Sequence, residues 1–449
     1  MTDGAARLMD IAERAWAWVL DQVRWDGDGP WLPESVPMTG GQPTPDSEVR
    51  DSFYDGVGGL APALLEIRAS RPWTARESEL AQAIVDRLTA ACQVTAESCL
   101  YLGVAGHLTA LTLLDRSSIQ PALDRLDALR AADGWFPTFS GYESVINDIV
   151  LGTAGIALAC LFTETDRGDA LARSGCGALL AAAEQTPDGL DWAMMPTRRE
   201  VRTPNYSHGT AGIAAALAVT GCRLGEPEYV AAAVRGAEHL IGLADLSDGG
   251  CRIPVRIPDA PDRERYAYGW CHGTTGTSLL WAALQFAGVD DVRGWSPAEL
   301  RVRCLHSAIS SGLPARRHPG FWDNDGRCCG TTGVAEAMLD AALGDVGGRG
   351  EQWLDFGLRL AHVLADRALH APGHADQRCW RFLEHRRDPP VLDPAVGWMQ
   401  GAAGISTLLR RAARAHEMSG PVGRVGLPDN WWAVPGEATS RTTHRVPGS

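Results

Sequence analysis

Two neighbouring thiols, Cys328 and Cys329, stand just before Gly330 in the stretch Gly-Arg-Cys-Cys-Gly-Thr-Thr-Gly. Adjacent cysteines do not easily join in a disulfide, but both can bind one soft cation. A third thiol, Cys271, has nearly the same setting in Gly-Trp-Cys-His-Gly-Thr-Thr-Gly. Three thiolates can ligate Zn²⁺ and leave the fourth tetrahedral position open, the pattern of a catalytic rather than a structural zinc. The other eight cysteines (92, 99, 160, 176, 222, 251, 304 and 379) lack this setting and read as small apolar packing residues.

His208, in Ser-His-Gly-Thr-Ala-Gly, is the best general acid–base candidate, because imidazole titrates near physiological pH. His272, beside Cys271, has three readings: a fourth ligand, a donor standing behind the ligands, or a helix cap. Asp148 lies four residues before Gly152 and could orient or charge-stabilise His208; an N-cap role for it is equally consistent with the sequence.

The elements that must position these residues recur along the chain. Small residues spaced Gly-x-x-Gly open an apolar run at Gly56, Gly103, Gly152, Gly209, Gly273, Gly330 and Gly401. One such match is weak, whereas seven at quasi-regular intervals indicate a repeat architecture. Between them lie amphipathic stretches, such as 76–91, 228–243 and 352–369, with apolar residues at three- and four-residue intervals. A helix apolar all round needs burial, while an amphipathic one can face water. Seven such pairs predict an all-α, seven-fold α/α toroid, a double-layered α/α barrel with the apolar helices inside. Short hairpins or extended loops are expected on one rim at Asp28–Trp31, Asp133–Phe136, Asp188–Trp192, Asp248–Ile253 and Pro319–Trp322. The connections 247–268 and 371–397 are long enough for a lid or a peptide-binding wall. The expected division is one toroid domain over 1–420 and a Pro/Gly-rich tail over 421–449, packing only locally around Leu427 to Trp432.

In this register the residues just before each first glycine gather at one end of the axis: Asp55, Leu102, Leu151, His208, His272, Cys329 and Gln400. The positive ends of the inner helices favour thiolates and oxyanions there.

Composition narrows the chemistry. The chain holds no lysine, so every basic residue is arginine, which excludes Schiff-base lysines, covalent pyridoxal chemistry and a P-loop lysine. A net charge of −14 argues against nucleic acid or an anionic membrane as main partner. No apolar run reaches ~18 residues and the start lacks a signal-like core, so no membrane span and a cytoplasmic location are expected. Eleven cysteines then read as reduced thiols rather than a disulfide framework.

Taken together, Ser207-His208-Gly209, Trp270-Cys271-His272-Gly273, Cys328-Cys329-Gly330 and Met399-Gln400-Gly401-Ala402-Ala403-Gly404 resemble the lanthionine synthetase C-like family, the lanthipeptide cyclases. The resemblance spans all seven repeats, from about Tyr54 to Arg411. It implies a zinc enzyme that adds a peptide cysteine thiol across dehydroalanine or dehydrobutyrine to form a thioether ring. It implies Cys271, Cys328 and Cys329 as zinc ligands, His208 as the catalytic histidine and Asp148 as the catalytic aspartate. His272, Arg265 and Gln400 are then candidates to support the ligands or meet the substrate. The partners implied are a dehydrated precursor peptide and separate dehydratase or kinase/lyase enzymes that prepare it. Two departures stand out: many members carry Cys-His where this chain has Cys328-Cys329, and many carry an arginine where it has Ala267, with Arg265 the nearest substitute. Addition of glutathione or another small thiol, and a non-catalytic peptide-binding role, are the alternatives on the same fold. A toroidal glycosidase would need paired carboxylates in the cavity, for which Asp55 and Asp148 are the axial candidates.

Overall fold

The computed structural model describes residues 3–39, 50–138, 144–260, 264–315, 324–384, 387–420 and 422–434. Within them fourteen α-helices follow one another: α1 (Asp3–Gln22), α2 (Leu60–Ser70), α3 (Ala75–Ala91), α4 (Val104–Leu114), α5 (Gln120–Leu129), α6 (Thr153–Phe162) and α7 (Asp166–Ala181). The second half contributes α8 (Thr210–Leu224), α9 (Pro227–Leu243), α10 (Thr274–Phe286), α11 (Pro297–Ser310), α12 (Thr331–Leu343), α13 (Gly350–Arg367) and α14 (Ala402–Glu417). The even-numbered helices pack in a closed ring, α2 to α4, α6, α8, α10, α12, α14 and back to α2. The odd-numbered helices lie outside, and α1 packs on α14, so the start of the chain completes the last pair. This is the seven-fold α/α toroid.

The pattern of apolar residues explains the layers. Every residue of α6 is buried, as its unbroken Thr-Ala-Gly-Ile-Ala-Leu-Ala-Cys-Leu-Phe run requires. The outer α3 buries Leu80, Ile84 and Leu88 on one face and starts with a capping box between Thr74 and Glu77. α14 departs from the apolar expectation, since Arg410 and Arg411 are buried within it. Their charges are paired: Arg410 donates to Glu13 at 2.7 Å and Arg411 to Asp340 at 2.6 Å. Burying a charge is tolerable only with such a partner.

Three of the expected hairpins are present, pairing Arg24–Asp26 with Gly29–Trp31, Arg130–Ala131 with Gly134–Trp135, and Glu184–Thr186 with Gly189–Asp191. Around Asp248 the chain instead makes a single 3₁₀ turn, Ser247–Gly249, closed by an antiparallel bridge between Asp245 and Arg252. The stretch expected at Pro319–Trp322 lies outside the described residues except for its flanks. Within the connection 371–397, Arg381–Leu383 and Val391–Pro394 form a further two-stranded ribbon.

The repeated glycines answer a spatial demand. A Cβ on Gly155 would stand 1.9 Å from the carbonyl oxygen of Ile149, and one on Gly276 would stand 1.8 Å from that of Trp270. In both cases the carbonyl belongs to the residue six positions earlier, where the loop folds back onto the first helical turn. Gly155→Ala should therefore destabilise by about 1–3 kcal/mol through overpacking, whereas Gly27→Ala, which meets nothing within 4 Å, should be neutral. Paired chemical melts with unchanged denaturant slopes would read this out.

Candidate functional site

The loops entering the inner helices are tied to one another by main-chain hydrogen bonds that run right around the axis. Ser207 N–H donates to the Cys271 carbonyl (2.9 Å), Cys271 N–H to Cys328 (3.1 Å) and Cys328 N–H to Met399 (2.9 Å). Met399 N–H donates to Tyr54 (3.0 Å), Tyr54 N–H to Tyr101 (3.0 Å) and Tyr101 N–H to Val150 (3.3 Å). Ile149 N–H donates to the Ser207 carbonyl at 3.2 Å and closes the circuit. Apart from a one-residue slip at Ile149, each participant lies two positions before the first glycine of its repeat. Spatial order around the axis therefore follows repeat order, and neighbours in the ring are neighbours in the site.

This circuit brings the three thiols together. Cys271 Sγ lies 3.3 Å from Cys329 Sγ, and Cys328 and Cys329 Sγ are 3.5 Å apart. Cys271 and Cys328 are buried and Cys329 is partly buried. Zn–S bonds of about 2.3 Å in a tetrahedron place sulfurs about 3.8 Å apart, so this triangle fits a metal ion after a few tenths of an ångström of expansion. Sulfur contacts with Cys271 and Cys328 pull the Cys329 thiol well below its ordinary range, helped by the charge of His272. Among the described residues no other group of three or more His, Cys, Asp or Glu side chains could hold a metal ion.

His208 sits in the repeat before Cys271. Its Nδ1 is 2.6 Å from Oδ2 of Asp148, which is fully buried. The second oxygen of Asp148 accepts the Leu151 backbone N–H at 2.7 Å. Asp148 thus contacts the imidazole with one oxygen and braces the loop with the other, but it does not cap α6, whose N-cap is Gly152 without a side-chain bond. An accepting carboxylate fixes the proton on Nδ1 and leaves Nε2 as the ring atom able to exchange a proton elsewhere. The His208 side chain keeps a quarter of its surface exposed. His272 lies against it, with ring centroids 5.3 Å apart and a 39° tilt. It lies outside the three-sulfur cluster.

Both histidines line a cavity of about 250 Å³, with Met194, Thr203, Val255, Arg256 and Arg265 among its other walls. Arg265 is half exposed and spends its charge on Asp259 at 3.3 Å. Arg256 is the residue that sequence reasoning missed. Its buried Nε has no hydrogen-bond partner among the described residues. It sits on the long 247–268 connection, outside the repeat register, so no sequence signal points to it. Tyr54, which receives a hydrogen bond from Gln400, was also passed over, although it holds the same register position as Cys271 and Cys328.

Beneath the site the axis is filled by aromatic rings. Trp270 packs edge-on to Tyr101 and Tyr206, with centroids 5.5 and 5.8 Å away. The stretch expected to pack only locally, 422–434, reaches this floor: Tyr101 donates to Asp429 Oδ2 at 3.1 Å and Tyr206 to the Asp429 carbonyl. Arg301 and Arg424 extend the anchoring through the Ala433 carbonyl and the Asp340 carboxylate.

Fold and site together define a double-layered α/α toroid with a three-thiol cluster and a carboxylate-held histidine at one end of its axis. The lanthionine synthetase C-like protein model matches residues 47–419. The chain belongs to that family. Among solved structures it is similar to nisin cyclase, at 15 % identity over 84 % of this chain and 91 % of that one, with a TM-score of 0.56. It is also similar to the Lin0763 protein of Listeria innocua, at 11 % identity over 93 % of this chain and 99 % of that one, with a TM-score of 0.50. These likenesses concern the fold. No curated protein matches the sequence. No described helix is long and apolar enough to cross a membrane.

One acid on the same rim is unusual. Burial, aided by the charge of Glu34, pushes the Asp55 carboxyl up to about 7 from an ordinary value of 3.8. The folded chain thus holds this proton more tightly than the unfolded chain, and this group costs stability increasingly as pH rises from about 4 to about 7. Asp55→Asn should flatten the decline of melting temperature across that window; an unchanged profile would show that Asp55 is not its source.

Proposed function

We propose that the protein is a zinc-dependent cyclase that adds cysteine thiols of a dehydrated peptide across dehydroalanine or dehydrobutyrine residues, forming lanthionine or methyllanthionine rings. The observation that carries this reading is the closed three-sulfur cluster beside a carboxylate-held histidine, in a chain of this family. Cys271, Cys328 and Cys329 would hold the ion. When bound, Zn²⁺ supplies the Lewis acidity that keeps a substrate thiol ionised at neutral pH.

The reaction needs no oxidant or reductant. The thiol loses its proton, sulfur bonds to the β-carbon, the π pair moves to form an enolate, and the α-carbon takes up one proton. His208 Nε2 carries a proton between solvent-accessible cavity and α-carbon, while Asp148 holds the ring and stabilises it when charged. Arg256, lining the same cavity with an unused N–H, would donate to the carbonyl oxygen on which the enolate charge develops. Arg265, already engaged by Asp259, would contribute less. The dehydroamino acids would come from a separate dehydratase, or from a kinase and lyase acting on the precursor.

Purified protein should contain one equivalent of zinc, absent from Cys271→Ala and Cys328→Ala. A chain that binds no zinc would sink the proposal. Ring closure leaves mass unchanged, so thiol alkylation followed by mass spectrometry reads conversion of a dehydrated, cysteine-containing peptide. His208→Ala should lower kcat by about 10²–10⁴ with zinc retained. Arg256→Gln should lower kcat by about 10² or more, and Arg265→Gln by less than tenfold. Equal losses from the two arginine variants would remove Arg256 from this role. If the peptide is left untouched while glutathione adds to it, the reaction is intermolecular and the cyclase reading falls.

A further inference from the structure

Gln400 occupies, in the seventh repeat, the register position that His208, His272 and Cys329 hold in the fourth, fifth and sixth. Its carboxamide Nε2 lies 2.9 Å from the Tyr54 hydroxyl oxygen and 3.8 Å from Cys329 Sγ. A carboxamide nitrogen has two N–H groups, and these two contacts use both. Because the Tyr54 oxygen accepts from Gln400, its own proton is free to turn elsewhere.

We propose that Gln400 is a positioning residue that donates to the Cys329 sulfur and is itself held in place by the Tyr54 hydroxyl. The inference rests on the reading that these thiols hold a metal ion.

The sulfur of Cys329 favours this orientation of the carboxamide. Its oxygen is buried without a hydrogen-bond partner among the described residues and packs over Gly326, where a Cβ would come within 2.4 Å of it. Turning the amide over would let the Tyr54 hydroxyl donate to that oxygen, but would set the same acceptor against the lone pairs of the Cys329 sulfur, which the present orientation avoids. The backbone leaves little slack, since Cys328 N–H bonds the Met399 carbonyl and Met399 N–H bonds the Tyr54 carbonyl. The Tyr54 ring is braced edge-on against Tyr101, with centroids 6.0 Å apart.

The chemical need is one of charge. Three thiolates around a divalent cation carry a net −1, and an incoming substrate thiolate raises this to −2. A donor aimed at one of the three sulfurs withdraws part of that charge.

The test uses the full chain loaded with Co²⁺ or Zn²⁺, comparing wild type with Gln400→Met, of similar size but without N–H donors, and with Tyr54→Phe. Loss of the Gln400 donor, or of the hydroxyl that holds it, should move the thiolate-to-Co²⁺ charge-transfer band to lower energy. Apparent zinc affinity at pH 7, measured against a competing chelator, should fall about 10–100-fold, and further at lower pH. A merely loosened site would lose affinity without the band shift, and that result would overturn the inference. Unchanged band and affinity in both variants would overturn it as well. If Gln400→Met does not fold, Tyr54→Phe decides on the same two readouts. A wild-type chain that takes up neither metal overturns this inference and the zinc reading together. A metal-loaded wild type that fails on peptide removes only the cyclase proposal, and the band shifts still decide the role of Gln400.

Discussion

The circuit of seven main-chain hydrogen bonds around the toroid axis is the constraint from which the rest of the site follows. It joins loops that are far apart in sequence through their backbones, so it leaves the side chains at adjacent positions free to vary. Forming it requires each loop to fold back onto the first turn of its own inner helix, and the second glycine of the repeat makes room for that fold. The register position that donates and accepts in the circuit carries Cys271, Cys328 and Tyr54; the next position carries His208, His272, Cys329 and Gln400. Chemistry is therefore written at two positions of a repeated frame. Neighbouring repeats supply the groups that must touch.

A rim site needs a solid floor, and the floor is assembled from unlike parts. Aromatic rings from three repeats fill the axis, and Asp429 ties two of the tyrosines to the C-terminal stretch. Below them Asp340 sits between Arg411 and Arg424, 2.6 and 2.8 Å away. Buried pairs of this kind add little net stability over apolar packing, but removing one partner strands the other charge. Their effect is to hold the C-terminal stretch in one place against the inner helices. That stretch lacks periodicity, which is why its sequence suggested only local packing.

The outer layer and the inner layer were legible because burial imposes periodicity, which the sequence records directly. The thiols and His208 were legible because they fall in register. Asp148 was legible as a candidate, but not in its double use, since one carboxylate bonding both an imidazole and a backbone N–H leaves no mark in a sequence. Arg256 was invisible because nothing in a long connection says which side chain turns inward. Arg265 looked the better substitute by proximity to Ala267, and only the ion pair with Asp259 shows where its charge goes.

By itself, the sequence determined the repeat number, the order of helices, the family and the short set of residues able to do chemistry. Each of these depends on local spacing, and spacing along the chain is what a sequence contains. Tertiary structure alone decided that Cys271 and Cys329 stand 3.3 Å apart across 58 residues of chain. It also decided that His272 lies against His208 and that one carboxamide from the last repeat reaches both Cys329 and Tyr54. The contact between Gln400 and Tyr54 exists only when the ring closes, because closure makes the seventh repeat a neighbour of the first; the others need consecutive repeats to pack side by side.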